Sequence, residues 1–516
     1  RRHFVEWVDR DLRAYSLGVR IEDPRSGEIL KGHVRIENLR MRQDALLAEA
    51  LLGPFADDPT TGMGLSEVQG SSFADRLQAR LLAKRSTKSN LDGTPLPYAK
   101  GSVKSSESQM VDDIMGAILQ RVKQLGAHEV GHTLGLTHNF AGSSTLHGYA
   151  SVMDYPPPLV TIDSTGTKLV LNNRSYADGI GYFDKVAIDY GYRPLDPSMS
   201  PEAQREQLDE LLQQASLQGY VFLTDQDSSV SSADWRDSPW DSGSDPVVAL
   251  QTALQVRALA LQNLESSTVL SDFTPRSHLQ ELFPVVYLWH RYQVETAVKL
   301  IGGNLFQYAL KRDVQLRALV PIDGAKQLGA LDQLIAALDP KVLMIPAALA
   351  DLLLPNAFGY VSEIGGSADL MSTRSGSGTF DATVASEIGA NLVVSAIFSA
   401  SCLERLAVQA QRNASLPSLT EVFQRLTSAV FAVDVANLVS GPCDAQRGSE
   451  VLALVAAQSV LANAYVSVTD ASSSSSASHS LLVRNICKYH VQNVLLPAIQ
   501  ALVNDLKNLT SENVCV

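Results

Sequence analysis

The segment from residue 128 to residue 138 reads HEVGHTLGLTH, and its histidines have the spacing of zinc ligands. On a helix, His128 and His132 lie one turn apart on the same face, so both imidazoles can bind one metal ion. Gly135 can adopt a backbone conformation closed to other residues, which would end the helix and return His138 as a third nitrogen ligand. Three protein ligands leave one tetrahedral position open, which is typical of catalytic rather than structural zinc.

Glu129 stands between the first two ligands, in the position of a general base. A catalytic zinc ion polarises a carbonyl and lowers the pKa of water, and Glu129 would take the proton and pass it to the leaving amine. The motif therefore predicts one zinc ion and hydrolysis of an amide bond. A zinc site that has lost turnover is an alternative that the motif leaves open.

A second motif, SVMDY, occupies residues 151–155 and resembles the Met-turn of the metzincin metallopeptidases. The resemblance implies that Met153 forms an apolar floor beneath the three histidines. It also implies that Tyr155, two positions later, reaches the metal or the oxyanion.

Longer stretches look like the bacterial-type Met-zincin family of zinc-dependent metallopeptidases. They are HEVGHTLGLTHNF, SVMDYPPP and, at residues 179–192, GIGYFDKVAIDYGY. The resemblance implies an α+β catalytic domain with a mixed, mostly parallel sheet, an antiparallel edge strand and an active-site helix. A long, largely α-helical region is expected to follow it.

The elements that would position the motif can be identified in outline. Residues 3–8, 16–21 and 30–36 are β-prone, and turn residues between the last two predict a hairpin. By resemblance, residues 16–21 would be the edge strand that holds an extended substrate. A complete metzincin domain has further elements before this point, so we expect the N-terminal part of the domain to be missing. The active-site helix is predicted over residues 108–136.

The predicted domains are a catalytic domain at residues 1–195, a helical domain at 196–470 and a Ser-rich linker with a C-terminal helix at 471–516. An acidic stretch at residues 225–245 interrupts the helical pattern. It lacks the ligand spacing of a calcium loop, so we predict a solvated loop there.

The composition is that of a globular protein with 516 residues, 45% hydrophobic and 19% charged. The net charge of −13 argues against binding to nucleic acid. The longest uncharged runs contain Ser, Asn and Gln, which favours buried helices over a transmembrane segment. The expected partner is a protein or peptide substrate.

The cysteines and the glycosylation sequons are the sequence features that indicate the cellular location. All four cysteines fall in the last quarter, which permits two disulfides in three pairings or buried free thiols: Cys402, Cys443, Cys487 and Cys515. Three glycosylation sequons begin at Asn173, Asn413 and Asn508. We expect a secreted or extracytoplasmic protein.

The sequence thus predicts a zinc metalloendopeptidase, with zinc bound by His128, His132 and His138 and with Glu129 as the base. Two alternatives remain at this stage. One is a catalytically degenerate zinc protein that uses its helical region as a scaffold, and the other is a zinc hydrolase of a non-protein amide.

Overall fold

The protein is described here by a computed structural model over residues 3–9, 15–52, 106–145, 149–265, 276–308, 311, 319–353, 374, 380–433, 444–470 and 478–507. Within these ranges it is a mixed α and β protein that is mostly helical, with small sheets. Most of the predicted Ser-rich linker lies outside the described residues.

A three-stranded sheet is built from β1 (Phe4–Val8), β2 (Leu17–Glu22) and β3 (Ile29–Glu37), in the spatial order β1-β3-β2. β3 pairs parallel with β1 and antiparallel with β2, so the predicted hairpin and antiparallel edge strand are both present. Because the described sheet has one pair of each kind, the predicted predominance of parallel strands is not confirmed.

Among the described residues, the sheet is followed by α1 (Leu39–Leu52) and α2 (Ser106–Thr133), and α2 packs against β2 and β3. Ile114 and Ile118 lie on the buried face of α2, as the four-residue spacing predicts. The helix ends three residues before the predicted end. The N–H of Leu136 donates to the carbonyl of Gly131 at 3.0 Å while Gly135 has φ of +98°, which is a Schellman-type ending.

The rest of the described chain contains two short hairpins and many helices. The strands are β4 (Thr161–Ile162), β5 (Leu169–Val170), β6 (Asn304–Phe306) and β7 (Leu319–Pro321). The helices are α3 (Tyr182–Tyr192), α4 (Pro201–Leu217), α5 (Pro246–Glu265), α6 (Leu279–Tyr287), α7 (Arg291–Val298), α8 (Gly324–Ala336), α9 (Pro340–Leu343), α10 (Ala347–Ala350), α11 (Ala382–Ile397), α12 (Ala400–Arg412), α13 (Leu419–Phe431), α14 (Ala445–Thr469), α15 (Leu481–His490) and α16 (Leu496–Lys507).

Helical periodicity in the sequence predicts single helices over residues 279–301 and 383–411, but each of these stretches is broken into two helices. The second break places Phe398 against Phe423 at 5.5 Å and against Tyr465 at 4.9 Å between ring centroids. Packing against later helices therefore decides this break, and local helical periodicity cannot reveal it.

Two large hydrophobic cores hold the fold together. One lies within the helical region, between α5, α7, α8 and the helices from α11 to α15. The other joins α1 and α2 to α5, α6 and α10. The second core thus crosses residue 195, where the sequence analysis placed a domain boundary.

The chain beyond residue 195 contains the cysteines and the longest uncharged runs of the sequence. Cys402 and Cys487 are buried free thiols, whereas Cys443 and Cys515 lie outside the described residues. By length and composition, α14 could cross a membrane, and there are up to three such spans if each of two bent helix pairs is one span. Half of the most apolar window of α14 is buried inside the fold. The absence of a transmembrane segment stays a prediction.

Candidate metal centre

Three imidazoles converge at the end of α2. The Nε2 atom of His132 lies 3.1 Å from Nε2 of His128 and 3.2 Å from Nε2 of His138. His128 and His132 come from successive turns of the helix, and His138 returns after the turn at Gly135. Among the described residues, these three form the group of His, Cys, Asp and Glu side chains that could hold a metal ion.

Each imidazole is oriented by an acceptor on its other nitrogen. Nδ1 of His128 donates to the carbonyl of Val152 at 2.8 Å, and Nδ1 of His132 donates to the carbonyl of Leu136 at 2.9 Å. Nδ1 of His138 donates to the carboxylate of Asp225 at 2.8 Å. Carbonyls and carboxylates only accept, so each Nδ1 carries the proton and each Nε2 presents a lone pair. Three lone pairs facing one another repel unless a cation lies between them.

Burial favours the neutral form of these rings. It lowers the pKa of His128 to about 3 and also lowers the pKa of His132, because an imidazolium loses its hydration inside the protein. Neutral imidazole is the form that ligates a metal. The ligand set therefore suits a zinc ion in both geometry and protonation.

Met153 lies directly beneath the ligands. Its side chain is fully buried, and a Cβ added at Gly131 would clash with the Met153 sulfur. The helix between the first two histidines therefore rests on this methionine, and a glycine is needed at that point of contact. This position agrees with the apolar floor that the resemblance implied for Met153.

The Met-turn is anchored by Asp184 at the start of α3. Its carboxylate accepts from the Ser151 hydroxyl at 2.7 Å and from the N–H groups of Val152 at 2.8 Å and Gly181 at 2.7 Å. In the sequence, the segment GIGYFDKV indicated only a family resemblance. In the structure, its Asp184 fixes the turn whose Val152 carbonyl orients His128.

Glu129 faces the cleft from the same helix and is only 4% exposed. Burial raises the pKa of its carboxyl to about 7, against the opposing effect of a hydrogen bond from the backbone N–H of Gly18. The edge strand β2 approaches α2 here so closely that a Cβ added at Gly18 would overlap the Glu129 carbonyl. Arg20, also on β2, donates to the carbonyl of His132 at 3.2 Å.

Tyr155 completes the inner site. Its hydroxyl lies 2.9 Å from Nε2 of His138 and donates to that lone pair. Burial raises the pKa of the phenol to about 12, so the hydroxyl keeps its proton near neutral pH. The Tyr155 ring lies 5.4 Å from the Trp240 ring between centroids, and the backbone N–H of Trp240 donates to the Tyr155 carbonyl at 2.9 Å.

The acidic stretch at residues 225–245 is not the solvated loop that the sequence analysis predicted. Asp225 contacts His138, and three other aspartates of the stretch are almost fully buried: Asp234, Asp237 and Asp241. Asp234 pairs with Arg236, Asp237 pairs with Lys299 at 2.8 Å, and Asp241 accepts from the Ser143 hydroxyl. Burial still raises the pKa of Asp237 and Asp241. Charge density along the sequence cannot distinguish such partners from water, since Lys299 and Ser143 come from distant segments.

A cleft of about 650 Å³ opens over the three histidines. β2 borders it on one side, and residues from α1 and α2 line its floor together with Tyr155 and Trp240. Arg40 and Arg121 face the same cleft, and the sequence analysis named neither of them. Neither residue belongs to a short motif, so no local signal could have singled them out.

A protein-family model described as Met-zincin matches residues 108–437 of the chain. The matched stretch contains the three histidines, Glu129, the Met-turn, Asp184 and Asp225, and it extends through α13. No curated protein and no solved structure matches the chain.

Proposed function

This chain belongs to the Met-zincin family of metzincin-type zinc metallopeptidases, and from that premise we propose that it is a zinc-dependent metalloendopeptidase. His128, His132 and His138 would hold one catalytic zinc ion, with Glu129 as the general base. The substrate would be a protein or peptide in extended conformation.

One observation carries this proposal. Three Nε2 lone pairs converge while every Nδ1 is held by a separate acceptor. An acceptor on the second nitrogen fixes the tautomer and raises the basicity of a metal-bound histidine, as is usual around zinc. Three ligands of this kind leave a coordination position for reaction.

A zinc ion in such a site supplies Lewis acidity that makes water a nucleophile near neutral pH. Glu129 borders the same cleft, where it can take a proton from that water and return it to the leaving amine. Burial raises the pKa of Glu129, and the N–H of Gly18 holds its carboxylate toward β2. The Tyr155 hydroxyl would donate to the oxygen that becomes negative at the scissile carbonyl.

The edge strand supports a peptide rather than another amide as substrate. β2 has a strand partner on one side only within the described part of the chain, and it borders the cleft. An extended peptide can pair its backbone with such an edge and so lay a peptide bond across the histidines.

The test measures zinc content and casein cleavage on wild type, His132→Ala and Glu129→Gln. We expect one zinc per chain in the wild type, loss of both zinc and cleavage in His132→Ala, and retained zinc without cleavage in Glu129→Gln. Glu202→Gln, on the exposed side of α4, serves as the matched control and should behave as wild type. A wild type that binds zinc and cleaves no peptide in a broad library would favour the scaffold alternative.

Tyr155 is tested separately with Tyr155→Phe. Loss of one donor to an oxyanion lowers kcat about 100-fold in comparable sites. We therefore expect a decrease of that order at unchanged zinc content. An unchanged kcat would limit Tyr155 to a packing role.

A further inference from the structure

Arg40 is the first polar residue of α1, and its side chain faces the cleft. It makes no hydrogen bond or ion pair with any part of the chain that the structure describes, and it lies over the aromatic ring of Trp240. Burial and, after it, the nearby charge of Arg121 lower the pKa of Arg40. A guanidinium nevertheless stays charged in proteins, so the cleft contains a partly desolvated cation.

Trp240 forms the surface under this cation. The Arg40 guanidinium lies 5.1 Å from the centre of the indole ring, within the range of a cation–π contact. Trp240 is held at φ of +65°, and it is the non-glycine residue with positive φ among the described residues. A bulky side chain in this region costs energy and marks a functional constraint more often than chance. Here the strained backbone directs the indole into the cleft.

Arg121 adds a second positive charge behind the first. Its guanidinium lies 5.8 Å from the Trp240 ring and is almost fully buried. It bonds to the side-chain oxygen of Gln124, and no carboxylate lies within ion-pair distance of it in the described ranges. Two cations on one wall of the cleft favour an anion beside them, although Glu37, Glu129 and Asp154 line the same cleft.

No nearby carboxylate forms an ion pair with Arg40 in the described residues, although the charge of Asp44 raises the pKa of Arg40 against the effect of burial. Asp154 accepts from the N–H groups of Ser143 and Tyr155, at 2.8 Å and 2.7 Å. Asp44 accepts from the Tyr176 hydroxyl at 3.4 Å, and Glu37 and Glu129 also face this cleft. None of these four lies within 4.0 Å of the Arg40 nitrogens, although their charges reduce the net field.

We propose that Arg40, supported by Trp240, is a specificity subsite for a carboxylate of the peptide substrate. A guanidinium binds a carboxylate through two parallel hydrogen bonds, which gives both geometry and selectivity. The subsite rests on the proposed function, because its ligand is the substrate of the zinc centre. The carboxylate can come from an Asp or Glu side chain or from the C-terminus of the peptide.

The first experiment compares cleavage of paired peptides from a library. Each pair differs by Glu or Gln at one position, and all peptides have amidated C-termini. We expect wild type to prefer Glu at one position, with a kcat/KM ratio of about 10 to 100. In Arg40→Gln the Glu-to-Gln ratio of kcat/KM should fall to about one, and in Arg40→Lys it should stay between that value and the wild-type value. Arg425→Gln, a distant surface variant, should leave the ratio unchanged. A ratio near one in wild type would overturn the assignment of the anion to a side-chain carboxylate of the substrate.

The second arm uses peptides without acidic side chains, with either a free or an amidated C-terminus. A preference for the free carboxylate that Arg40→Gln removes would identify the C-terminus as the anion. If neither source shows a preference that depends on Arg40, the subsite is overturned while the peptidase assignment stands.

A binding measurement separates failure of the subsite from failure of the peptidase. Peptide hydroxamates that carry Glu or Gln are titrated into zinc-loaded wild type and into Arg40→Gln, which requires no turnover. We expect the Glu compound to bind wild type about 10- to 100-fold more tightly than the Gln compound. Equal affinities would overturn the subsite even if no peptide is cleaved. A clear difference without any cleavage would retain the subsite and refute the peptidase.

Discussion

At the scale of single residues, His138 differs from the other two proposed ligands in how its imidazole is oriented. His128 and His132 donate to backbone carbonyls that come with the helix and the Met-turn, whereas His138 donates to a side chain, Asp225. This carboxylate is 87 residues away along the chain and largely exposed, with a side-chain exposure of 63%. The orientation of His138 therefore depends on one replaceable acceptor.

We expect Asp225→Asn to weaken zinc binding about 10- to 100-fold, because the ligand loses a charged acceptor behind its Nδ1 proton. Competition with a chromogenic chelator measures the affinity. Asp332→Asn, an exposed change far from the site, is the control and should bind zinc as wild type does. Equal affinities in the two variants would show that Asp225 does not support the ligand.

At the scale of elements, the contact between β2 and α2 sets the width of the cleft. Gly18 lies where the edge strand touches the helix at Glu129, and no side chain fits between them. Gly32 on β3 is also close, with its Cβ position 3.0 Å from the Thr133 side chain. The sheet therefore approaches the active helix through glycines.

Gly18→Ala should push the edge strand away from α2. We expect a loss of about 1–3 kcal/mol in the free energy of unfolding from overpacking, together with at least about tenfold lower kcat/KM. Gly191→Ala in α3 is the matched control, because nothing lies within 4 Å of its Cβ position. That change should be neutral or slightly stabilising. Denaturant unfolding and casein cleavage are measured on both, and equal behaviour of the two variants would contradict the tight contact.

A buried ion triad connects α1 to α6. Nε2 of His278 lies 3.2 Å from a carboxylate oxygen of Glu49, and its Nδ1 lies 3.5 Å from one of Glu281. Burial alone would lower the pKa of His278, but the two glutamates outweigh it and raise that pKa to about 9. The folded state therefore binds the proton more tightly than the unfolded chain.

The stabilisation from this triad should be complete below about pH 6.5 and should disappear as the pH rises through about 9. We expect His278→Gln to lower the free energy of unfolding by up to about 3 kcal/mol near pH 6, with a smaller difference near pH 9. Urea unfolding of wild type and His278→Gln at several pH values between about 6 and about 9 measures this difference. His33→Gln, at a more exposed pair with Glu6, should cost less than about 1 kcal/mol. If the difference in unfolding free energy between wild type and His278→Gln does not depend on pH, the proposed titration of His278 is refuted.

At the scale of the whole molecule, the helix that carries the zinc motif and the helical region share one hydrophobic core. Phe283 on α6 is fully buried in the core that also contains Ile114 and Ile118 of the active helix. Asp225, Trp240 and Asp241 lie beyond residue 195 and still contact the site or its supporting loops. The helical region is therefore part of the structural support of the metal centre.

Phe283→Ala should destabilise the metal centre although it is remote in sequence. We expect a loss of about 3–5 kcal/mol in unfolding free energy, from lost burial and the cavity left behind. Zinc release and loss of far-ultraviolet circular dichroism should occur in one transition. Val248→Ala, at an exposed position of α5, should change stability by no more than about 0.5 kcal/mol. Two separate transitions would show that the metal centre and the helical region unfold independently.

The sequence by itself determined the parts of the site that depend on local spacing. A four-residue interval on a helix places His128 and His132 on one face, and Gly135 permits the left-handed turn that returns His138. The hairpin also follows from local patterns, because alternation is a property of neighbouring residues, whereas the edge position of its first strand was implied by the resemblance. The Met-zincin membership was visible in the same motifs.

Only the tertiary structure decided what supports and surrounds those residues. Asp225 behind His138, Asp184 behind the Met-turn and Arg40 in the cleft all come from distant segments. The buried aspartates of residues 225–245 and the break at Phe398 have the same origin. Such pairings depend on which surfaces meet when the chain folds, and the energy that selects them is shared among many long-range contacts. A local sequence pattern contains no record of those contacts.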